Sequence, residues 1–241
     1  MDEREFIRSN FFDIELTPET FFIYQIRKNI LRAFQEAKVH FTGVVVDLGC
    51  GYMPYRKLIL ENQKVTRYVG IDLEQPTYYG DVRPDMTWDG ENIPFQASSV
   101  DCVIATEVLE HCFEPNVLLR EVNRVLVSGG VFFCTVPFIW NLHEVPFDHY
   151  RYTPFSLSRM LEFAGFDKAN VTALGGWDSA LSQMLGLWLR FRPMDKFPKA
   201  ILTRVILRII KKLEKTDMRP TVFDNSENSM PSGLAAICYK R

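Results

Sequence analysis

The stretch Val44-Val45-Val46-Asp47-Leu48-Gly49-Cys50-Gly51 constrains this chain more than any other. Three β-branched residues in a row favour a fully buried strand of a parallel sheet, and the acid-x-Gly-x-Gly that follows predicts a tight turn into a helix. Gly49 and Gly51 lack a Cβ, so they tolerate positive φ and let backbone N–H groups approach a ligand closely. Such a turn lies at the carboxyl end of a strand, where open α/β sheets bind nucleotides.

A dinucleotide fingerprint requires a third glycine three residues after the second. Pro54 occupies that position, which disfavours a nicotinamide-dependent oxidoreductase. A second apolar strand, Tyr68-Val69-Gly70-Ile71-Asp72-Leu73-Glu74, follows about twenty residues on and ends in acid. Two carboxylate oxygens match the two neighbouring hydroxyls of a ribose, so Asp72 is the candidate for that role and Glu74 the reserve. A third segment runs from Thr87 through Asp89-Gly90 to Ile93-Pro94-Phe95, with a short strand near 85–88, and a fourth strand from Val100 to Thr106 leads into Glu107-Val108-Leu109-Glu110-His111.

In this order and spacing the four segments resemble the motifs of class I S-adenosylmethionine (SAM) dependent methyltransferases, of the methyltransferase type 11-like kind. Leu126 through Pro137 and the run Leu161, Ala164, Gly165, Phe166 are similar to further features of that family. The resemblance implies an α/β fold, a Rossmann-like seven-stranded doubly wound sheet with strand seven antiparallel, and SAM as cofactor. It implies cofactor binding by Asp47, Gly49, Cys50, Gly51, Asp72, Leu73, Asp89, Gly90, Thr106 and Glu107, with Asp72 on the ribose and Asp89 accepting from the adenine amino group.

Composition narrows the function classes. The 241 residues carry a net charge of −2, which argues against a nucleic-acid partner. Five cysteines without a C-x-x-C pair read as free thiols in a reducing compartment. The charged start and the absence of a membrane-length apolar run predict a cytoplasmic protein.

Along the chain, 1–40 is expected to form a helical cap, with a helix starting at Thr17-Pro18-Glu19 and carrying Phe22, Ile26, Ile30 or Leu31, and Phe34 on one side. It serves either as a lid over the cofactor or as cover for the sheet edge. The SAM-binding domain spans 41–175 and 234–241. Its first crossover helix is expected over 53–61, and a polar connection with Tyr78, Tyr79, Gly80 and Asp81 precedes strand three. The helix from Pro115 is expected to run to about Leu126, with Ser128-Gly129-Gly130 ending it and strand five following from Val131 to Pro137. Between strands six and seven, 176–233 forms a helical insertion, with helices near 179–191 and 199–215 and a polar loop from Asp217 to Ser232. The 199–215 helix sets Leu202, Val205 or Ile206, Ile209 and Leu213 against a basic side. That face suits peripheral contact with an anionic membrane, packing on the domain, or a homodimer.

The least generic segment is Phe138 to Pro154, FIWNLHEVPFDHYRYTP, which overhangs the sheet's carboxyl edge. His143, Glu144, Asp148 and His149 are its catalytic candidates, because alcohol methylation needs a base and histidine has a suitable pKa. Asp148 or Glu144 is expected to orient His149, with His111 a further candidate base. Their spacing matches no established metal motif, so no metal is expected. The pattern His-Glu-x-Pro-x-Asp-x-x-Arg-(Tyr/Phe)-Thr-Pro resembles methyltransferases of cell-surface glycan and specialised-metabolite pathways. The expected activity is methyl transfer to an oxygen of a small sugar, glycan-pathway or specialised-metabolite substrate. The alternative is a non-catalytic binding or partner subunit of the same fold.

Overall fold

The computed structural model describes residues 3–74, 82–219, 223 and 228–241; the expected connection through Tyr78, Tyr79, Gly80 and Asp81 lies outside them, as does part of the 217–232 loop. Its centre is one seven-stranded sheet of β1 (Gly43–Leu48), β2 (Val65–Leu73), β3 (Met86–Trp88), β4 (Val100–Thr106), β5 (Leu126–Pro137), β6 (Phe166–Leu174) and β7 (Gly233–Lys240), in the order β3-β2-β1-β4-β5-β7-β6. The pairs β1–β2, β1–β4, β2–β3 and β4–β5 are parallel. β7 runs the other way. Ser232, just before β7, donates to Leu174 at the end of β6, while Arg241, just past its far end, bonds Asp167 at the start of β6. The apolar run from Val45 to Leu48 is buried throughout, as a strand covered on both faces requires.

The helices are α1 (Glu3–Ile7), which continues into a π-helical turn over Arg8–Phe12, α2 (Phe21–Ala37), α3 (Arg56–Leu60), α4 (Pro115–Val125), α5 (Pro154–Phe163), α6 (Trp177–Phe191) and α7 (Lys196–Thr216). Three boundaries differ from the sequence expectation. Thr17-Pro18-Glu19 forms a turn and not a helix start: the Thr17 carbonyl accepts from Thr20 and Phe21, and α2 begins at Phe21. α3 starts three residues late, because Met53 takes a positive φ of 48°. β5 starts at Leu126 and not at Val131, directly after α4 ends at Val125 as expected to within a residue; the Ser128-Gly129-Gly130 turn bulges out of β5, between Leu126 opposite Val100 and Val131 opposite Cys102.

The chain divides into two compact units, one of 1–33, 137–142 and 172–234, the other of 34–136, 143–171 and 235–241. In the first, Ile14, Phe21, Tyr24, Leu189, Ile206 and Ile210 form a core beneath α2, α6 and α7. The inward side of α7 is therefore set by Ile206 and Ile210, while Val205 and Ile209 are exposed. From the end of α7, Asp217 accepts from the N–H groups of Gly176 and Ser179 and so caps α6.

In the second unit Phe34, fully buried, stacks on Tyr55 at 4.3 Å between ring centroids and meets Phe41 and Phe133 edge-on at 5.5 and 5.7 Å. Truncation would remove both the transfer energy of the ring and its partners' contacts. Phe34→Ala is expected to lower the unfolding free energy by about 3–5 kcal/mol, read as a lower urea midpoint at unchanged m-value.

Candidate active site

Because β3, β2, β1 and β4 are parallel, their carboxyl ends at Trp88, Leu73, Leu48 and Thr106 share one edge of the sheet. The turn after β1 demands glycine: Gly49 has φ +65°, and a Cβ there would stand 2.6 Å from Val108 Cγ2. Its N–H groups do not face outward as the sequence suggested. Gly49 and Cys50 both donate to the Ile71 carbonyl, at 2.9 and 3.2 Å, and Gly51 donates to Asp72 Oδ2 at 2.8 Å. What the turn offers is close approach of a bare backbone beside a carboxylate. Asp72 is buried at the tip of β2, with Oδ1 accepting from the Leu73 N–H at 2.8 Å.

Asp47 sits beneath this turn, 2% exposed, and accepts from the Tyr68 hydroxyl at 2.5 Å. Burial, against the lowering effect of Tyr68 and with the added charge of Asp72, pushes its carboxyl up to about 7. Burial likewise raises the Cys50 thiol far above its ordinary value, so it is an inert apolar lining. Leu73 lies against Gly90, whose missing Cβ would stand 3.4 Å from Leu73 Cδ2. Asp89, on the surface, accepts from the Asn92 side chain at 2.9 Å and from the Asn92 and Glu91 N–H groups at 2.7 and 2.8 Å. These donors hold its carboxyl down to about 2. After β4, Glu107 takes φ +56° and accepts from the Thr135 hydroxyl at 2.8 Å. A glycine-shaped recess, a ribose-matching carboxylate and an apolar wall ending in a second carboxylate fit a nucleoside-bearing cofactor such as SAM.

Further along, the 143–151 loop assembles a polar cluster. Asp148 Oδ2 accepts from the His143 backbone N–H at 3.1 Å and lies 3.2 Å from His143 Nδ1. Arg151 clamps the same carboxylate with both terminal nitrogens, at 2.6 and 2.9 Å, and holds it well below the usual range. Burial, and then the neighbouring His111, lower the pKa of His143 against the raising effect of Asp148. The His111 and His143 rings meet edge-on at 4.7 Å, and His111 Nδ1 lies 3.1 Å from the Phe147 carbonyl. His111 Nε2 is 3.8 Å from both Glu110 Oε1 and Glu144 Oε2. Glu110 is 0% exposed and neither of its side-chain oxygens has a hydrogen-bond partner. Burial and then Glu107 raise its carboxyl well above the ordinary value.

The structure therefore brings together His143, Asp148, Glu144 and His111. Asp148 orients His143 and not His149; His149 is exposed, its ring beside Phe113 at 5.5 Å, and its N–H goes to the Glu110 carbonyl. Two members were missed. Arg151 stands three residues after Asp148, a spacing that signals an ion pair only on a helix, and the segment is none. Glu110 lay in view beside His111, but its burial is invisible in a sequence. One atom each of Glu110, His111 and His143 lies within 4.8 Å of the others, a donor set suited to a borderline divalent ion.

Residues 46–134 match the family model described as "Methyltransferase domain". A malonyl-[acyl-carrier protein] O-methyltransferase from Alcanivorax borkumensis is 29% identical over 108 residues, and the match spans 42% of this chain but only 37% of the relative's length. A SAM-dependent methyltransferase from Archaeoglobus fulgidus superposes with a TM-score of 0.56 over 99% of this chain and 100% of that one, at 16% identity. Phosphoethanolamine N-methyltransferase 2 of Haemonchus contortus, crystallised with SAM, gives 0.53 over 100% of this chain and 60% of that one, at 12% identity. The fold is that of these SAM-dependent methyltransferase structures. Residues 46–134, the part that matches the methyltransferase domain model, run from β1 through the glycine turn to β5.

The buried Asp47 makes a pH prediction. Near pH 4 and below, its carboxyl is protonated folded and unfolded alike; from about pH 4 to about 7 only the unfolded chain gives up the proton, so stability falls as pH rises. Asp47→Asn is expected to flatten the ligand-free stability profile across that window, by up to about 1.4 kcal/mol per pH unit, in urea titrations at successive pH values. Glu110 contributes with the same sign and remains in the variant.

Proposed function

We propose that the chain transfers the methyl group of SAM to an oxygen of a small-molecule acceptor, of the sugar, glycan-pathway or specialised-metabolite kind. The observation that carries this reading is His143 on the loop after β5, its Nδ1 3.2 Å from Asp148 Oδ2. Gly49, Gly51, Asp72, Leu73, Asp89 and Gly90 would hold the cofactor, with Asp47, Cys50, Thr106 and Glu107 supporting the cradle. When bound there, SAM supplies an electrophilic methyl on sulfonium.

The chain's own residues do the rest. Asp148 fixes the His143 ring through Nδ1, Arg151 clamps that carboxylate, and His143 is the base that takes the acceptor hydroxyl proton. The resulting imidazolium is stabilised by the same carboxylate. Glu144, at the loop surface, and His149, beside Phe113, line the approach of a polar acceptor. The oxygen acceptor of the Alcanivorax relative supports oxygen over nitrogen. The net charge supports a small molecule over nucleic acid.

Asp72→Ala is expected to weaken SAM binding at least tenfold by calorimetry; unaltered affinity would remove Asp72 from its role. His143→Gln should lower kcat by about 10²-fold or more while leaving SAM affinity within twofold. SAM binding without S-adenosylhomocysteine release, across a panel of hydroxylated acceptors, would instead favour a non-catalytic partner subunit.

The unpartnered carboxylate of Glu110 favours a second reading, in which Glu110, His111 and His143 hold a divalent ion that acidifies the acceptor hydroxyl. It predicts that chelator treatment abolishes turnover and Zn²⁺ restores it, whereas the metal-free reading predicts turnover indifferent to chelator.

A further inference from the structure

Helices α6 and α7 turn their inner sides to one core, through Leu189, Ile206 and Ile210, and this leaves two outer sides facing solvent. On α6 the outer side is a continuous stripe. Trp177, Leu181, Met184, Trp188 and Phe191 recur at steps of four and three residues, all are exposed, and no charged residue falls among them. On α7 the exposed apolar residues are Phe197, Ile201, Val205 and Ile209, with Phe197 reaching 79% exposure. At about 100° per residue, Arg208 and Lys212 fall in the same sector as these. The stripe is thus apolar in its first half and basic in its second.

Exposed apolar faces of this size on a soluble chain mark an interaction site. Charge decides the occupant. From 177 to 216 there are nine basic and three acidic residues, a net +6, which leaves −8 for the remainder of a chain whose total is −2. A second copy docking isologously would set this patch on itself and bring like charge to like. An anionic lipid surface meets both demands: Trp, Phe and Leu side chains enter the headgroup boundary while Lys and Arg meet lipid phosphates. Arg192 lies 5.1 Å over the Trp188 ring and Arg190 6.0 Å from the Phe191 ring, which places guanidinium groups beside the aromatic rings that would sit at that boundary. Among the described residues no helix is long and apolar enough to cross a membrane, so the contact is one of lying on the surface.

We propose that the outer sides of α6 and α7 form a docking surface for an anionic phospholipid bilayer. The surface stands apart from the proposed chemistry, and its test reads no methyl transfer. The full chain is mixed with phosphatidylcholine vesicles and with vesicles also containing phosphatidylglycerol, then floated through a density gradient. Flotation is expected with the anionic vesicles, with a blue shift of tryptophan emission, and at least tenfold less with neutral ones. A basic side chain near an anionic surface is worth about fivefold in binding, so R208E/K212E should weaken partition by more than tenfold. The double variant L181E/W188E, both sites exposed and so compatible with an unchanged circular dichroism spectrum, should lose both flotation and shift. Failure to float with anionic vesicles, or equal flotation of either double variant, would overturn the proposal. So would a homodimer in light scattering that L181E/W188E converts to monomer, since the face would then belong to a second copy.

Discussion

One carboxylate oxygen, Asp72 Oδ2, fastens the tip of β2 to the glycine turn after β1 by accepting from the Gly51 N–H at 2.8 Å. The bond is charge-assisted and buried, where it is stronger than in water. Together with the two N–H groups on the Ile71 carbonyl, it sets the turn in place before any ligand arrives. The cradle is thus preorganised by the ends of two parallel strands, and its chemistry follows from their register, Asp47 opposite Gly70 and Leu48 opposite Ile71.

The polar loop after β5 is built by a similar economy of donors. Asp148 receives Arg151, the His143 backbone and the vicinity of the His143 ring, so a loop without regular structure still holds one side chain in a fixed direction. Glu110 beneath it is the opposite case. A buried carboxyl with no hydrogen-bond partner is costly unless it keeps its proton or meets a cation. The site therefore contains one carboxylate held ionised and one driven toward the neutral form, a contrast that arises from neighbours and not from residue type.

In the other unit, function and stability share the same helices. Ile206 and Ile210 fill the core while Val205 and Ile209, one position earlier on each turn, stay outside. Both faces of α7 are apolar, so it is fixed on one side and unsatisfied on the other. Asp217 then closes the arrangement by capping α6 from the end of α7.

The sequence alone determined what local chemistry can determine. A run of β-branched residues ended by Gly49 and Gly51 has few alternatives to a buried strand and a tight turn, and the later strands end in acids at Asp72 and near Asp89. Only tertiary structure decided which groups those residues face. The N–H groups of the turn go to β2, the partner of Asp148 is His143 and not His149, and the burial of Glu110 depends on 143–151 folding over it. Helical period showed that α7 has an apolar side, but with isoleucine, valine and leucine on more than one side it could not choose the inward one. That choice was made by packing against α2 and α6, because shape complementarity across distant segments leaves no trace in the spacing of one helix.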